Sequence, residues 1–249
     1  MTKQTKEIPR AGRQDLLEGQ VALVTGGSRG IGRAIALRLA SLGAGVAVCG
    51  RDRNSLRATE EMLRAAGARA FSLVADVTRA LDVERLADQT QSALGGVSIL
   101  VNNAGMGLFG PAHERTEEDW DRVLDTNLKG AFLVSRALVP AMIRRKNGHI
   151  INIASLAGKN AFAGGGIYCA SKWGLLGLSK CMAEDLRDHG IRVAVICPGS
   201  VATEFSGRGP KDASKALRPE DVAHAVEMLV TQGPNSFLSE VDLRPLRKP

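Results

Sequence analysis

The chain has 249 residues, 44% of them hydrophobic and 24% charged, which is the balance of a globular protein able to bury a core of good size. Its net charge is +7, but with only nine aromatic residues (six Phe, two Trp, one Tyr) it offers no base-stacking platform, so a nucleic-acid partner is not expected. The basic excess reads instead as solvated runs, such as Arg144-Arg145-Lys146 and the tail 244–248, on a protein that handles anionic ligands.

Other function classes recede on similar grounds. The four histidines are scattered and suggest no metal site. The four cysteines, Cys49, Cys169, Cys181 and Cys197, form no CxxC pair and read as small buried hydrophobes in a reducing compartment. No secretory signal or membrane-length apolar run is seen, so a cytoplasmic protein with no membrane partner is expected.

Residues 1–18 are polar and charged and predict a flexible extension; 19–249 read as one domain. Strands are predicted at 21–25, 46–49, 70–74, 99–101, 150–153 and 192–197, with a last one at 237–243. Helices fill the gaps at 31–42, 53–66, 79–94, 117–146, 168–189 and 219–232. Several strand runs are apolar on both faces, as a parallel sheet covered on both sides requires. The alternation predicts a single-domain α/β fold, a doubly wound Rossmann-type parallel sheet of about seven strands with helices on both faces. The longest irregular stretch, 199–218, has the length of a lid or binding loop.

The first strand runs into "TGGSRGIG" (25–32), and the first helical pattern starts within it. Glycines between a strand and a helix let a phosphate approach the backbone, while the helix N-terminus turns its unpaired N–H groups on that phosphate. Inside a βαβ unit this points to dinucleotide binding. The spacing is Gly-x-x-x-Gly-x-Gly, through Gly26, Gly30 and Gly32, rather than Gly-x-Gly-x-x-Gly.

Tyr168 is the only tyrosine, and Lys172 follows it at i+4, on the same face of a helix. An ammonium about 4 Å from a phenolate at an effective dielectric near 20 favours it by roughly 4 kcal/mol, about 3 pKa units. That field predicts a phenol drawn from about 10 towards neutrality, able to exchange a proton with an alcohol or an alkoxide.

"TGGSRGIG", "NNAG" (102–105), Asn127, Ser155 in "INIAS", "YCASK" (168–172) and "PGSVAT" (198–203) occur in that order, and together they resemble the short-chain dehydrogenase/reductase family. The resemblance covers roughly 19–243 and is strongest to members like the 3-oxoacyl-carrier-protein reductases, although the lid is shorter and the ending "SFLSEVDLRPLRKP" lacks their glycine-rich close. It implies hydride transfer between a nicotinamide cofactor and a small-molecule carbonyl or secondary alcohol, with no metal. It implies that Tyr168 moves the proton, that Ser155 orients the substrate oxygen, that Lys172 also holds the nicotinamide ribose, and that Asn127 holds a water of a proton relay. The resemblance further implies cofactor contacts from Gly26, Ser28, Arg29, Gly30, Ile31 and Gly32 in the turn, and from Asn103, Ala104 and Gly105. Asp76 and Val77 would meet the adenine region, and Pro198, Gly199, Val201 and Thr203 the nicotinamide end. Two alternatives stay open: an NAD-dependent dehydrogenase of the same family, or a catalytically silent dinucleotide sensor.

The second strand ends in "VAVCGRD" (46–52). An acidic residue at this strand end commonly holds the adenine-ribose hydroxyls and repels a 2′-phosphate. Gly50 stands at the family's acidic position and Arg51 follows, with Arg29 able to close from the turn, so NADP(H) is the expected cofactor. Asp52 leaves two other readings: an NAD-like carboxylate after one residue of slip, or a partner that merely neutralises Arg51. Finally, the helical stretches 117–146 and 168–189 are apolar on more than one face (Trp120, Phe132 and Trp173 among others), and in related enzymes these two helices form a subunit interface. A homo-oligomer, a tetramer, is expected.

Overall fold

The computed structural model describes residues 16–205 and 212–247. Seven strands form one sheet: β1 (Val21–Thr25), β2 (Gly45–Gly50), β3 (Ala70–Val74), β4 (Ile99–Asn102), β5 (Gly148–Ile153), β6 (Ile191–Pro198) and β7 (Glu240–Leu243). Their order is β3-β2-β1-β4-β5-β6-β7 and every pairing is parallel. The helices are α1 (Gly30–Ser41), α2 (Arg53–Ala65), α3 (Ala80–Leu94), α4 (Glu117–Leu124), α5 (Gly130–Arg145), α6 (Gly166–Leu186) and α7 (Pro219–Val230).

Alternation along β1 shows why its residues are apolar on both sides. Ala22 and Val24 enter one core with Ile35 and Leu39 of α1, Leu56 of α2 and Val226 of α7. Val21 and Leu23 enter the opposite core with Leu86 of α3, Leu138 and Met142 of α5 and Leu186 of α6. Each face of the sheet is therefore closed by three helices, the Rossmann-type arrangement expected. The chain leaves β1 toward β2 on one side and returns at β4 on the other. The crevice for a ligand lies where that order reverses, at the C-terminal ends of β1 and β4.

Four expectations need correction. The extension expected over 1–18 falls mostly outside the described residues, but Leu17 is buried in the first core and its N–H donates to the Leu42 carbonyl at 2.8 Å. The helix expected over 117–146 is two helices joined by a π-helical turn, Asp125–Lys129. The last strand is shorter than 237–243, starting at Glu240. Cys181 is exposed, whereas Cys49, Cys169 and Cys197 are buried. In the irregular stretch, residues 206–211 lie outside the description; its two stems are tied by a parallel bridge between Val201 and Leu217.

Candidate active site

The crevice holds a cavity of about 1150 Å³. Its floor is built by the end of β1. The Thr25 hydroxyl accepts from the N–H groups of Asn103 and Ala104, each at 3.0 Å, and so fixes the end of β4 beside the glycine turn. Asn103 returns the tie, its amide donating to the carbonyls of Thr25 at 3.0 Å and Gly26 at 3.2 Å. Gly26 and Gly30 have φ of +63° and +53°, where a side chain would be strained, and a Cβ on Gly32 would stand 2.2 Å from the Gly26 carbonyl oxygen. The turn thus needs its glycines to fold, and Gly26, Ser28, Arg29, Gly30, Ile31 and Gly32 all line the cavity. No side chain caps the N-terminus of α1, so its N–H groups are left to a ligand.

At the end of β2, Gly50 and Arg51 line the same cavity. Asp52 does neither of the things left open for it. Its carboxylate caps α2, accepting from the Ser55 N–H at 2.7 Å, and the Ser55 hydroxyl together with that N–H holds its pKa below the usual carboxylate value. Arg51 has no ion-pair partner among the described residues; Arg29 lies 3.7 Å from Glu204. Asp76, Val77, Asn103, Ala104, Gly105, Pro198, Gly199, Val201 and Thr203 line the remaining walls. Asp76 is locally engaged, accepting from the N–H and hydroxyl of Thr78 at 3.0 and 2.9 Å.

Ser155 follows β5 and Tyr168 stands in the first turn of α6; both open on the cavity. The Ser155 hydroxyl accepts from the Ala157 N–H at 3.1 Å and faces the phenol. Lys172 and Asn127 lie behind the wall, both buried. The Lys172 ammonium donates to the Ile153 carbonyl at 2.9 Å and lies 5.8 Å from the centre of the Tyr168 ring. Burial dominates this pair. It pushes the Tyr168 phenol up to about 12, against the Ser155 hydrogen bond, and the Lys172 ammonium down to about 8. The phenol drawn towards neutrality is therefore not found in the cofactor-free chain.

Asn127 occupies the π-helical turn, and its side chain bonds two neighbouring segments. Its oxygen accepts from the Met106 N–H at 2.8 Å, and its amide donates to the Met106 carbonyl at 2.8 Å and the Ser171 hydroxyl at 3.0 Å. That side chain clamps the segment after β4. The π turn makes i→i+5 bonds, as from the Gly130 N–H to the Asp125 carbonyl. Such turns are frequent at functional sites.

Sequence reasoning missed the rings beside Tyr168. Phe109, from the segment after β4, meets the Tyr168 ring edge-on, with centroids 5.4 Å apart at 72°. Phe205, after β6, lies 5.8 Å from Tyr168, and Phe162, before α6, lies 6.1 Å from Phe109. Three of six phenylalanines gather here, two against the Tyr168 ring and the third against Phe109, but they come from three loops, and no periodicity joins them. Their only trace in the sequence is an apolar ring in each of three glycine-containing connections.

The arrangement fits a dinucleotide. An uncapped helix N-terminus, a glycine turn and an unpaired arginine line one end, and a phenol with a serine lines the other. Among the described residues no cluster of His, Cys, Asp or Glu could hold a metal, and no helix is long and apolar enough to cross a membrane. The family model for short chain dehydrogenases matches residues 20–213. The structure is similar to the crystal structure of a metagenomic short-chain oxidoreductase in complex with NADP, at 47% identity and a TM-score of 0.84, covering 94% of this chain and 100% of that one. The chain is 37% identical to the sepiapterin reductase of Chlorobaculum tepidum, over 90% of this chain and 96% of that protein. It is 39% identical to a 3-oxoacyl-[acyl-carrier-protein] reductase of Staphylococcus epidermidis, over 74% and 76% respectively. The fold, the order of the motifs and these matches agree: the chain belongs to the short-chain dehydrogenase family of oxidoreductases.

Proposed function

We propose that this chain reduces a ketone to a secondary alcohol with NADPH, Tyr168 serving as the general acid. The observation that carries the reading is the convergence of Ser155 and Tyr168 on one cavity with the glycine turn, with Lys172 buried directly behind them. When bound, the nicotinamide supplies the hydride. The chain's own residues do the rest. The uncapped start of α1, with Ser28 and Gly30, takes the pyrophosphate. Arg51, assisted by Arg29, takes the 2′-phosphate. Ser155 donates to the ketone oxygen and orients it. Tyr168 then gives its proton to that oxygen as it gains charge. A phenol titrating at about 12 is protonated at neutral pH, which is the form that reduction requires. Lys172 is charged below about 8 and stabilises the phenolate left behind. Asn127 keeps the segment 106–109 in place against the site.

The working unit is a homo-oligomer, a tetramer. The sheet-facing residues of the two long helical stretches, Val123, Val134 and Leu175, are buried, while Trp120, Phe132 and Trp173 keep roughly half their surface open, which suits a second copy of the chain. The test of the activity is oxidation of NADPH by the purified protein across a panel of ketones, diketones and 3-oxoacyl thioesters. Turnover of at least one ketone, lost in Tyr168→Phe, is expected. Cofactor binding without turnover of any carbonyl, in either direction, would favour the dinucleotide-sensor reading.

A further inference from the structure

The cavity has two ends of opposite character. Its charged lining residues, Arg29, Arg51, Asp76 and Glu204, follow β1, β2, β3 and β6, and Glu204 lies 3.7 Å from Arg29. The end beyond Tyr168 is walled by the rings of Phe109, Phe162 and Phe205 with Leu108, Leu156 and Met106, and none of these carries charge.

The rings are poised rather than packed away. Tyr168 is only 9% exposed, whereas Phe109, Phe162 and Phe205 are 43%, 50% and 38% exposed around it. Large apolar surface left open around a cavity marks a ligand groove. The ring positions are also fixed. The Gly110 N–H donates to the Gly164 carbonyl at 2.8 Å, joining the loop of Phe109 to that of Phe162. The Phe162 ring lies over Gly165, where a Cβ would meet it at 2.6 Å. Outside the lining, the Lys172 ammonium is turned to the Ile153 carbonyl, Lys159 is held by Glu240 and Asp242, and Arg115 lies 3.7 Å from Asp119.

Resting on the reductase reading above, we propose that the substrate is an uncharged ketone bearing an aromatic ring, its carbonyl at Ser155 and Tyr168 and its ring among Phe109, Phe162 and Phe205. The tilted ring pairs, 5.4 to 6.1 Å between centroids at 47° to 72°, have the geometry by which aromatic groups receive a further ring edge to face. Among the described lining residues of that end, an anionic substituent would lose its water and meet no cation.

Three ketones with the same methyl carbonyl separate the terms: 4-phenyl-2-butanone, 2-butanone and 4-oxopentanoate, with 4-cyclohexyl-2-butanone as the non-aromatic ring. With the full chain and saturating NADPH, kcat/KM is expected to be at least about tenfold higher for the phenyl ketone than for 2-butanone, and lowest for 4-oxopentanoate. The cyclohexyl ketone should fall between the first two. Phe109→Leu and Phe162→Leu should each bring the phenyl to 2-butanone ratio towards one; because both ketones meet the same Tyr168, the ratio cancels any change in its acidity. If 4-oxopentanoate matches or exceeds the phenyl ketone, or if the ratio is unchanged in both variants, the proposal is overturned. If no ketone is turned over at all, the reductase reading falls, and saturation-transfer NMR of the same ketones on the NADPH-loaded protein still decides the ligand class. Preferential transfer to the phenyl ring supports it, and equal or absent transfer refutes it.

Discussion

Exchanging the residues at the end of β2 should exchange the cofactor. The perturbations are Arg51→Ala, which removes the cation, and Gly50→Asp, which adds a carboxylate at the position where dinucleotide folds commonly hold ribose hydroxyls. Gly50 can accept the change: a Cβ there would meet the Ser28 hydroxyl at 3.5 Å and Leu56 at 3.6 Å, ordinary contacts, and its backbone is not left-handed. Arg51 is exposed, so its interaction is taken at the dielectric of water. For a phosphate of charge near −2 at about 4 Å this gives 332 × 2/(80 × 4), or about 2 kcal/mol, a factor of about 30. Arg51→Ala should therefore raise KM for NADPH by about ten- to thirtyfold and leave NADH use within about twofold. Gly50→Asp should act in the same direction through repulsion, and the double variant should prefer NADH. The assay is kcat/KM for both cofactors at fixed ionic strength, with inhibition by 2′,5′-ADP as a substrate-independent readout. Raising the salt should shrink the effect. Equal loss of NADH and NADPH use in Arg51→Ala would refute the reasoning, as would a wild-type preference for NADH.

Three further outcomes are expected. Tyr168→Phe should lower turnover by about 10²–10⁴-fold while NADPH still binds with near-normal affinity by fluorescence titration; near-normal turnover would remove the phenol from the mechanism. Light scattering at micromolar concentration should give the mass of four chains, and Trp173→Glu, on the exposed face of α6, should lower it; the mass of a single chain in the wild type would refute the assembly. His149 is buried in β5, and burial, aided by the Arg192 charge, pushes its pKa down from 6.5 to about 4. The unfolded chain then binds more protons between those values, so stability is retained above about 6.5 and lost as pH falls towards 4, by about 2.5 kcal/mol at pH 4.5. His149→Gln should show a correspondingly smaller loss in urea melts between pH 7 and 4.5, and an equal loss in both proteins would exclude His149 as the source.

Local rules carried the fold because each element here obeys them. The strands expected at 21–25 and 70–74 match to the residue, and the one at 99–101 stops one residue short of Asn102, since two-sided apolar runs bounded by glycine or polar residues leave little choice of register. What local rules missed is set by distant contacts. A helical pattern runs unbroken from 117 to 146, yet residues 125–129 widen into a π turn as Asn127 reaches across to Met106 and Ser171. Leu17 reads as part of a polar extension and is buried because Leu42 receives its N–H. Within the site, the glycine turn, Ser155, Tyr168 and Lys172 are legible because their spacing is local and ordered along the chain. The three phenylalanines are not legible, because they meet only when the ends of β4, β5 and β6 are brought side by side.

The Tyr168–Lys172 pair shows where counting charges along a helix misleads. The i, i+4 spacing does bring the two residues together, but the ammonium bonds the Ile153 carbonyl and lies 5.8 Å from the ring centre. Two charges about 6 Å apart at an effective dielectric near 20 attract by about 3 kcal/mol, and only if both groups are charged. Desolvation opposes both charges, and it raises the phenol and lowers the amine by comparable amounts. The buried pair therefore rests as phenol and ammonium between neutrality and about pH 8, with no ion pair formed. This favours a proton donor: the ammonium meets its full counter-charge only as the phenol releases its proton, so the lysine stabilises the product of proton transfer more than the starting state. Alcohol oxidation would have to begin from the phenolate, which burial makes scarce. Under the proposed function, the same residues suit the reductive step, for a reason that lies in the depth at which α6 sits rather than in the Tyr-x-x-x-Lys spacing itself.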